Sequence, residues 1–301
     1  MAAIAGTLDI PASRARVLVS SVIVAQMLPA NTLVKGGIGV KLRLGEVGTR
    51  ATRDVDVVTR DPDQFLADLT EQLQAGWGTV PPSKGALKRN PEAPPRLAFD
   101  GKVRRDKPAT PDGVPPAYVM KPHNVTLQFM GKAWASVPLE VAHDEIGGTE
   151  YADDIPAVAE EIAAVGTVLG FGEFVPVPLI SLELQIAQKI HAVTHPKSQR
   201  AHDLVDLQLL WHAGTDGGQG LDLPLLTQLC RRTFDYRHTH SWPPTTARPQ
   251  LLEHAYQKAC EEVGSGSAKA TQSGGLALML ADATTWLGDR IAEIVGTTPR
   301  P

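Results

Sequence analysis

Asp54 and Asp56 stand on either side of Val55 in the stretch RATRDVDVVTR, residues 50–60. Side chains alternate along an extended chain, so both carboxylates leave the same face with Cα atoms about 6.5 to 7 Å apart. Such a pair can share divalent cations, as Mg²⁺ ions that clamp a nucleotide's phosphates and the attacking oxygen require. The same spacing also suits a half-exposed strand that turns its polar residues to water. Gly36 and Gly37 lie upstream in VKGGIGVKLRLG. At a strand-to-helix turn they would let the backbone approach a phosphate that meets the free N–H groups of the helix, or they would simply make a tight turn.

Four further residues have types and positions that suit the same chemistry. Glu140 sits among apolar neighbours in SVPLEVAH, where a carboxylate is costly unless it meets a metal, a partner or water at a sheet edge. Lys189 falls on the apolar stripe Leu182, Ile186, Ile190 and Val193 of a helix starting near Ser181, so its ammonium either reaches a partner or snorkels to solvent. Asp203 and Asp206 follow at i and i+3 in RAHDLVDLQLL. They share one helix face, and Asp203 can also serve as a helix cap.

The elements that must position these residues follow from hydrophobic period and breakers. Residues 13–30 have a helical spacing that stops before Pro29, Leu33–Val34 read as a short strand, and Val40–Leu44 begin a helix. RDVDVVTR alternates as a strand, and residues 62–75 read as a helix with Phe65, Leu66, Leu69 and Leu73 on one side. NVTLQFMG and ASVPLEVAHDE alternate as two strands joined by a short Gly-Lys-Ala-Trp link, a hairpin. Between the 62–75 helix and this hairpin, residues 80–117 are rich in proline and glycine and read as a loop without regular structure. From about 151 onward helical periods dominate, with a linker at EEVGSGSAKATQSGG before the last helix. The expected fold class is α/β (α+β): an N-terminal domain with a mixed sheet over residues 1–150, then a helical domain over 151–301 that contributes Lys189 and Asp203.

Composition narrows the function classes. The chain has 301 residues, 43% hydrophobic and 21% charged, enough for real cores and against disorder. A net charge of -4 excludes coating of nucleic acid by bulk charge, leaving only a regional basic patch. Residues 80–117 supply one, with eight lysines and arginines, Arg104, Arg105 and Lys107 among them, against four acids. Either a solvated loop or a polyanion contact accounts for it. Cys230 and Cys260 are too few for a disulfide framework and lack zinc-type spacing. With no membrane span and no leader pattern, the protein reads as cytoplasmic.

The order of these motifs resembles a known family. VKGG, then RATRDVDV, an acidic residue on a later strand, QKIHA and DLVDL together are similar to the AbiEii/AbiGii nucleotidyltransferase-type toxins of toxin-antitoxin systems, the mycobacterial MenT proteins included. The resemblance spans residues 20–211, and HSWPP at 240–244 is similar to the family's C-terminal half. It implies a nucleotidyltransferase-like fold that transfers a nucleoside monophosphate from an NTP to an acceptor hydroxyl, expected to be the 3′ end of tRNA, blocking translation.

By the same resemblance, Gly36 and Gly37 cradle the NTP phosphates, Asp54 and Asp56 hold Mg²⁺ or Mn²⁺, Glu140 assists the nucleophile, and Lys189 and Asp203 fall where the family keeps a functional lysine and aspartate. Thr52 is expected on the face of the metal ligands, where MenT-like relatives carry a hydroxyl that is phosphorylated to silence the toxin. A cognate antitoxin is also implied. The chain departs from the pattern before Asp203, where His202 replaces the family's arginine and the nearest arginine is Arg200. Two other readings stay open: a nucleotidyltransferase that modifies a small molecule or a protein, and a protein that binds nucleotide or a partner without chemistry.

Overall fold

A computed structural model describes residues 1–107, 120–153, 156–216, 220–245, 253–264, 276–277 and 279–298. The chain opens with helices α1 (Ala2–Leu8) and α2 (Ala12–Gln26), then strand β1 (Thr32–Lys35) runs directly into helix α3 (Gly36–Leu44). After an irregular segment come β2 (Val55–Thr59), α4 (Gln64–Ala75) and β3 (Trp77–Val80). Next are α5 (Lys84–Arg89), β4 (Arg96–Arg105), β5 (Lys121–Phe129) and β6 (Lys132–His143). Among the described residues there follow the α-helices α6 (Glu160–Val168), α7 (Leu182–Thr194), α8 (Ala201–Asp216), α9 (Leu223–Arg237), α10 (Glu253–Gly264) and α11 (Leu280–Gly296).

The strands form one mixed sheet in the order β1-β2-β6-β5-β4-β3. β2 and β6 run parallel, and the other neighbouring pairs are antiparallel. Alternation assigns each strand residue to a face. Val55, Val57, Leu139 and Val141 turn to a core shared with α2 and α4, whereas Leu33, Val58 and Ala142 turn to a second core built with α7, α8 and α9. Helix α6 and residues Phe174, Val177 and Leu179 join the first core. Lys35, Asp56 and Glu140 have the parity of Leu33, Val58 and Ala142, so they belong to the face that meets the helices.

Three expectations are corrected. The Pro/Gly-rich stretch from 80 is not a structureless loop: it holds α5 and the ten residues of β4, and its last part, 108–117, lies outside the described residues. Ala98 and Phe99 of β4 are buried in the first core, and Phe99 pairs across the sheet with Trp77 and Phe129. The strand is specified by those distant partners rather than by its own pattern. The hairpin β5–β6 turns through Met130 and Gly131, both at positive φ, so Lys132–Trp134 belong to β6 rather than to the link. Helix α3 starts at Gly36, four residues earlier than its apolar spacing indicates.

Candidate active site

Three charged residues form a row across adjacent strands. Lys35 of β1 is the register partner of Asp56 of β2, and Asp56 is the partner of Glu140 of β6. Cross-strand partners share a face, so the three side chains stand side by side on the sheet surface that faces the helices. Asp54 precedes β2 and is exposed, whereas Asp56 and Glu140 are half-buried. Among the described residues, Asp54, Asp56 and Glu140 make no hydrogen bond or ion pair within bonding distance.

The glycine turn is built against this row. Gly36 has φ +65°, and a Cβ there would occupy the position of the Asp56 carboxylate. A Cβ on Gly37 would lie 2.5 Å from Oγ1 of Thr52. Neither position tolerates a side chain without displacing a residue of the site. The Nε2 amide of Gln185, on α7, donates to the Gly36 carbonyl at 2.9 Å and ties the turn to the helical half. The turn therefore opens a nine-residue helix whose start lies against the Asp56 carboxylate. Thr52 lies in the irregular segment before β2 and packs on Gly37, rather than projecting from the strand face that carries Asp56.

The electrostatics is that of a site built for charge from outside. Burial pushes the Asp56 carboxyl up, opposed by the Lys35 ammonium and reinforced by Asp54. Glu140 is also raised, first by burial and then by Asp56 and Asp54. Burial lowers Lys35, with Asp56 and Glu145 acting against it. Like-charged carboxylates held together in this way disfavour their own ionised forms, and a bound cation reverses that preference. Among the described residues no group of three or more His, Cys, Asp or Glu side chains could by itself hold a metal ion. Asp54 and Asp56 fit a Mg²⁺ or Mn²⁺ ion of the other kind, which takes one or two protein carboxylates and completes its shell from phosphate oxygens and water.

Lys189 is buried on α7, and its Nζ donates at 2.7 Å to Oδ1 of Asp203 and at 2.7 Å to Oδ2 of Asp206, both on α8. Two of its three N–H donors are thereby committed, and one remains. Asp206 also accepts a two-pronged contact from Arg50, Nε to Oδ1 and Nη2 to Oδ2, each at 2.9 Å. The Nε of Arg200 is ion-paired with Oδ2 of Asp203 at 2.6 Å. Burial alone would raise both aspartates; Lys189 with Arg200 holds Asp203 below its usual range, and Lys189 with Arg50 does so for Asp206. The network joins the segment carrying Thr52 and Asp54 to α7 and α8. Its outer parts, Arg50 and Asp206, were not singled out as a pair by sequence reasoning, and neither were Lys35 and Gln185. Lys35 alone had a local signal, being next to the glycine turn and on a strand.

Arg200, the arginine nearest Asp203 in the sequence, is the one that reaches its carboxylate. His202, which directly precedes Asp203, lies 3.9 Å from it, farther than Arg200. Arg200, three residues before Asp203 and directly ahead of α8, supplies the guanidinium, not the adjacent residue.

The basic residues are on a strand end rather than a loop tip. Arg104 and Arg105 end β4, paired with Asn124 and His123 of β5, while Pro122 of β5 is the partner of Glu140. Arg105 therefore lies one row from Glu140, about 14 Å from β2 at three strand spacings. Arg104 and Arg105 are exposed, Arg104 forms a 2.9 Å ion pair with Asp106, and Lys107 follows in the last exposed position before the undescribed segment.

A family model described as nucleotidyl transferase AbiEii toxin, type IV TA system, matches residues 17–272. Among solved structures, the nucleotidyltransferase toxin MenT4 of Mycobacterium tuberculosis H37Rv is similar over 98% of this chain and 89% of its own, with 16% identity and a TM-score of 0.56. JHP933 of Helicobacter pylori aligns over 92% of this chain and 88% of its own, with 13% identity and a TM-score of 0.41. No curated protein sequence matches the chain. Among the described residues no helix is long and apolar enough to cross a membrane.

Proposed function

The chain belongs to the AbiEii nucleotidyltransferase toxin family, and from that premise we propose that it transfers a nucleoside monophosphate from an NTP to the 3′-terminal hydroxyl of a tRNA. Blocking that hydroxyl stops aminoacylation and hence translation, and a cognate antitoxin restrains the activity. The observation that carries this reading is the set of carboxylates without partners among the described residues, Asp54, Asp56 and Glu140, near a glycine turn that admits no side chain.

In this reading the backbone N–H groups at Gly36 and Gly37 hold the phosphates at the start of α3. Asp54 and Asp56 would hold a divalent cation, Mg²⁺ or Mn²⁺, which when bound would supply neutralisation of phosphate charge and lower the pKa of the attacking hydroxyl. Glu140, its carboxyl raised by burial and by its acidic neighbours, accepts the proton of that hydroxyl. The hydroxyl oxygen bonds to the α-phosphorus, the bond from that phosphorus to the bridging oxygen breaks, and pyrophosphate leaves. Lys189 and Asp203 hold α7 and α8 against the site, with the third Lys189 donor left for a phosphate. Incubating the protein with each labelled NTP, Mg²⁺ and total tRNA should yield label on the tRNA. Label on a small molecule or a protein instead, with none on tRNA, would favour a different acceptor class.

Two expected results follow from placement. Thr52→Glu should abolish transfer, because a carboxylate against Gly37 repels the triphosphate and competes for its N–H groups, while Thr52→Val should retain it. Robust transfer by the Glu variant would remove Thr52 from the phosphate site. Replacing Arg104, Arg105 and Lys107 together by Gln should raise the KM for tRNA and flatten its salt dependence by up to about three units of slope, one for each RNA phosphate left without its cation. NTP affinity should be unaltered. Equal salt slopes for the wild type and the triple variant would exclude the end of β4 from the RNA surface.

A further inference from the structure

Residues 195–200, HPKSQR, join α7 to α8, and residues 238–244, HTHSWPP, follow α9; neither segment holds an acid. A directed chain of hydrogen bonds fixes one to the other. Arg237 can only donate, so its Nη1, 3.2 Å from Nδ1 of His191, leaves the ring proton on Nε2. That Nε2 donates to Oγ1 of Thr239 at 3.0 Å, and Thr239 donates to Nδ1 of His240 at 3.1 Å. His240 then donates from Nε2 to Oγ1 of Thr194 at 2.9 Å, and Thr194 donates to the Ile190 carbonyl at 2.7 Å. Burial, with Arg237 alongside, pushes His191 down to about 3, which keeps the ring neutral as the chain requires. The segment after α9 is thereby held on the last turn of α7.

The joined segments combine cations with rings. Lys197 is exposed and makes no ion pair among the described residues, while Arg200, exposed as well, is ion-paired with Asp203 at 2.6 Å. His195 and His240 stand edge to face with centroids 5.7 Å apart, and Trp242 packs at 5.1 Å on Phe234; all but Phe234 are half-buried. The Trp242 indole N–H, a group that usually finds a partner, has none among the described residues. Contacts lead from here to the segment carrying Asp54: Asp203 meets Lys189, Lys189 meets Asp206, and Asp206 meets Arg50.

We propose that these two segments are a platform for the unpaired 3′ end of the acceptor RNA, with Lys197 on its phosphates and His195 and Trp242 against its bases. The assignment rests on the reading above, a transferase that acts on tRNA. A terminal hydroxyl reaches a half-buried row of carboxylates only if the last nucleotides run as a single strand along the adjoining surface. Single strands are held by cations on phosphates and by rings on bases. In a chain of net charge -4 such a surface has to be local, and an acid-free one tied to the site meets that need.

The test compares intact tRNA with the same tRNA stripped of its unpaired 3′ nucleotides. Binding of each is measured with Mg²⁺ and without NTP, for the wild type, Trp242→Ala, the conservative Trp242→Phe and Lys197→Gln. Trp242→Ala should weaken binding of intact tRNA roughly fivefold to a hundredfold, the scale of one lost base stack, and Trp242→Phe should recover part of it. Lys197→Gln should lower the salt slope for intact tRNA by about 0.7, the share of one single-strand phosphate. For the stripped tRNA all variants should match the wild type within a factor of about two, and NTP affinity should be unaltered. Lys197→Gln changes only an exposed side chain, so it carries the test if Trp242→Ala fails to fold. Equal losses on intact and stripped tRNA, or no loss on either, overturn the platform, and label transfer to tRNA by the wild type then leaves the reading above in place. Variants that bind tRNA normally but escape the antitoxin would give the surface to a protein and overturn the platform too. If the wild type labels no tRNA, both fall.

Discussion

Replacing Asp56 by Asn should abolish nucleotide transfer and growth arrest while making the metal-free protein more stable at neutral pH. Activity should fall roughly a thousandfold or more, the scale expected when charge neutralisation at the reacting phosphate is removed. The stability gain follows from the sign of the pKa shift. Asp56 is raised by burial and by Asp54 against the pull of Lys35, so the folded chain binds its proton more tightly than the unfolded chain. Stability then falls as pH rises from the ordinary carboxylate range through the raised value, and the cost persists at pH 7.

Asn carries no charge and escapes that cost, so it should melt a few degrees higher than the wild type in a chelator at pH 7.5. The difference should close as the pH approaches about 4, where the unfolded carboxylate also takes up its proton. Added Mg²⁺ should raise the melting temperature of the wild type and not that of the variant. Thermal melts at several pH values, with and without Mg²⁺, decide the matter. A variant that melts lower than the wild type at every pH, or that still transfers nucleotide at the wild-type rate, would sink the assignment of Asp56 as a metal ligand.

Lys189→Met should destabilise the protein severely, by about 3–5 kcal/mol, because it leaves Asp203 and Asp206 buried with one positive partner fewer. Methionine keeps most of the stem and its packing, so the loss measures the ammonium. The wild-type network also predicts its pH response. Asp203 and Asp206 are held below their usual range by Lys189 with Arg200 and Arg50, so their contribution is full above the ordinary carboxylate pKa and is lost as pH falls through the depressed values.

Without Lys189 the balance tips toward burial, the two carboxylates should rise, and the variant should become more stable as pH falls from about 8 to 5. Adding Asp203→Asn and Asp206→Asn to Lys189→Met should recover part of the stability, yet transfer should stay low because Arg50 and Arg200 lose the anchors that orient them. Urea unfolding at two pH values tests this directly. A Met variant within about 1 kcal/mol of the wild type would mean that Lys189 is an ordinary snorkelling lysine with a dispensable charge.

The fate of the individual elements shows where local chemistry suffices. Asp56 was legible because a strand's two-residue period is a property of covalent geometry, so Val55 and Val57 name the buried face without knowledge of what buries it, whereas Asp54, expected on the same strand, precedes it. Glu140 and Lys189 stood out for the same reason, each a charge at an apolar position of its own element. Helices α4, α7, α8 and α9 were legible from their apolar stripes. The family likewise showed in short local motifs, and the match over residues 17–272 bears it out.

Pairing between distant segments was not legible. β4 lies in a stretch of glycine and proline, and its strand character comes from β3 and β5, which complete its hydrogen bonds and cover Phe99. Arg50 and Asp206 are 156 positions apart, and nothing in either neighbourhood requires the other. Arg200 was visible only as a misplaced arginine until its guanidinium was seen on Asp203. Lys35 read as one more polar residue beside a turn; only the register of β1, β2 and β6 sets it in line with Asp56 and Glu140. Periodicity is decided within a few residues and is written in the sequence, whereas a charge's partner is whatever the closed chain brings within a few ångströms, and that is settled only by the tertiary fold.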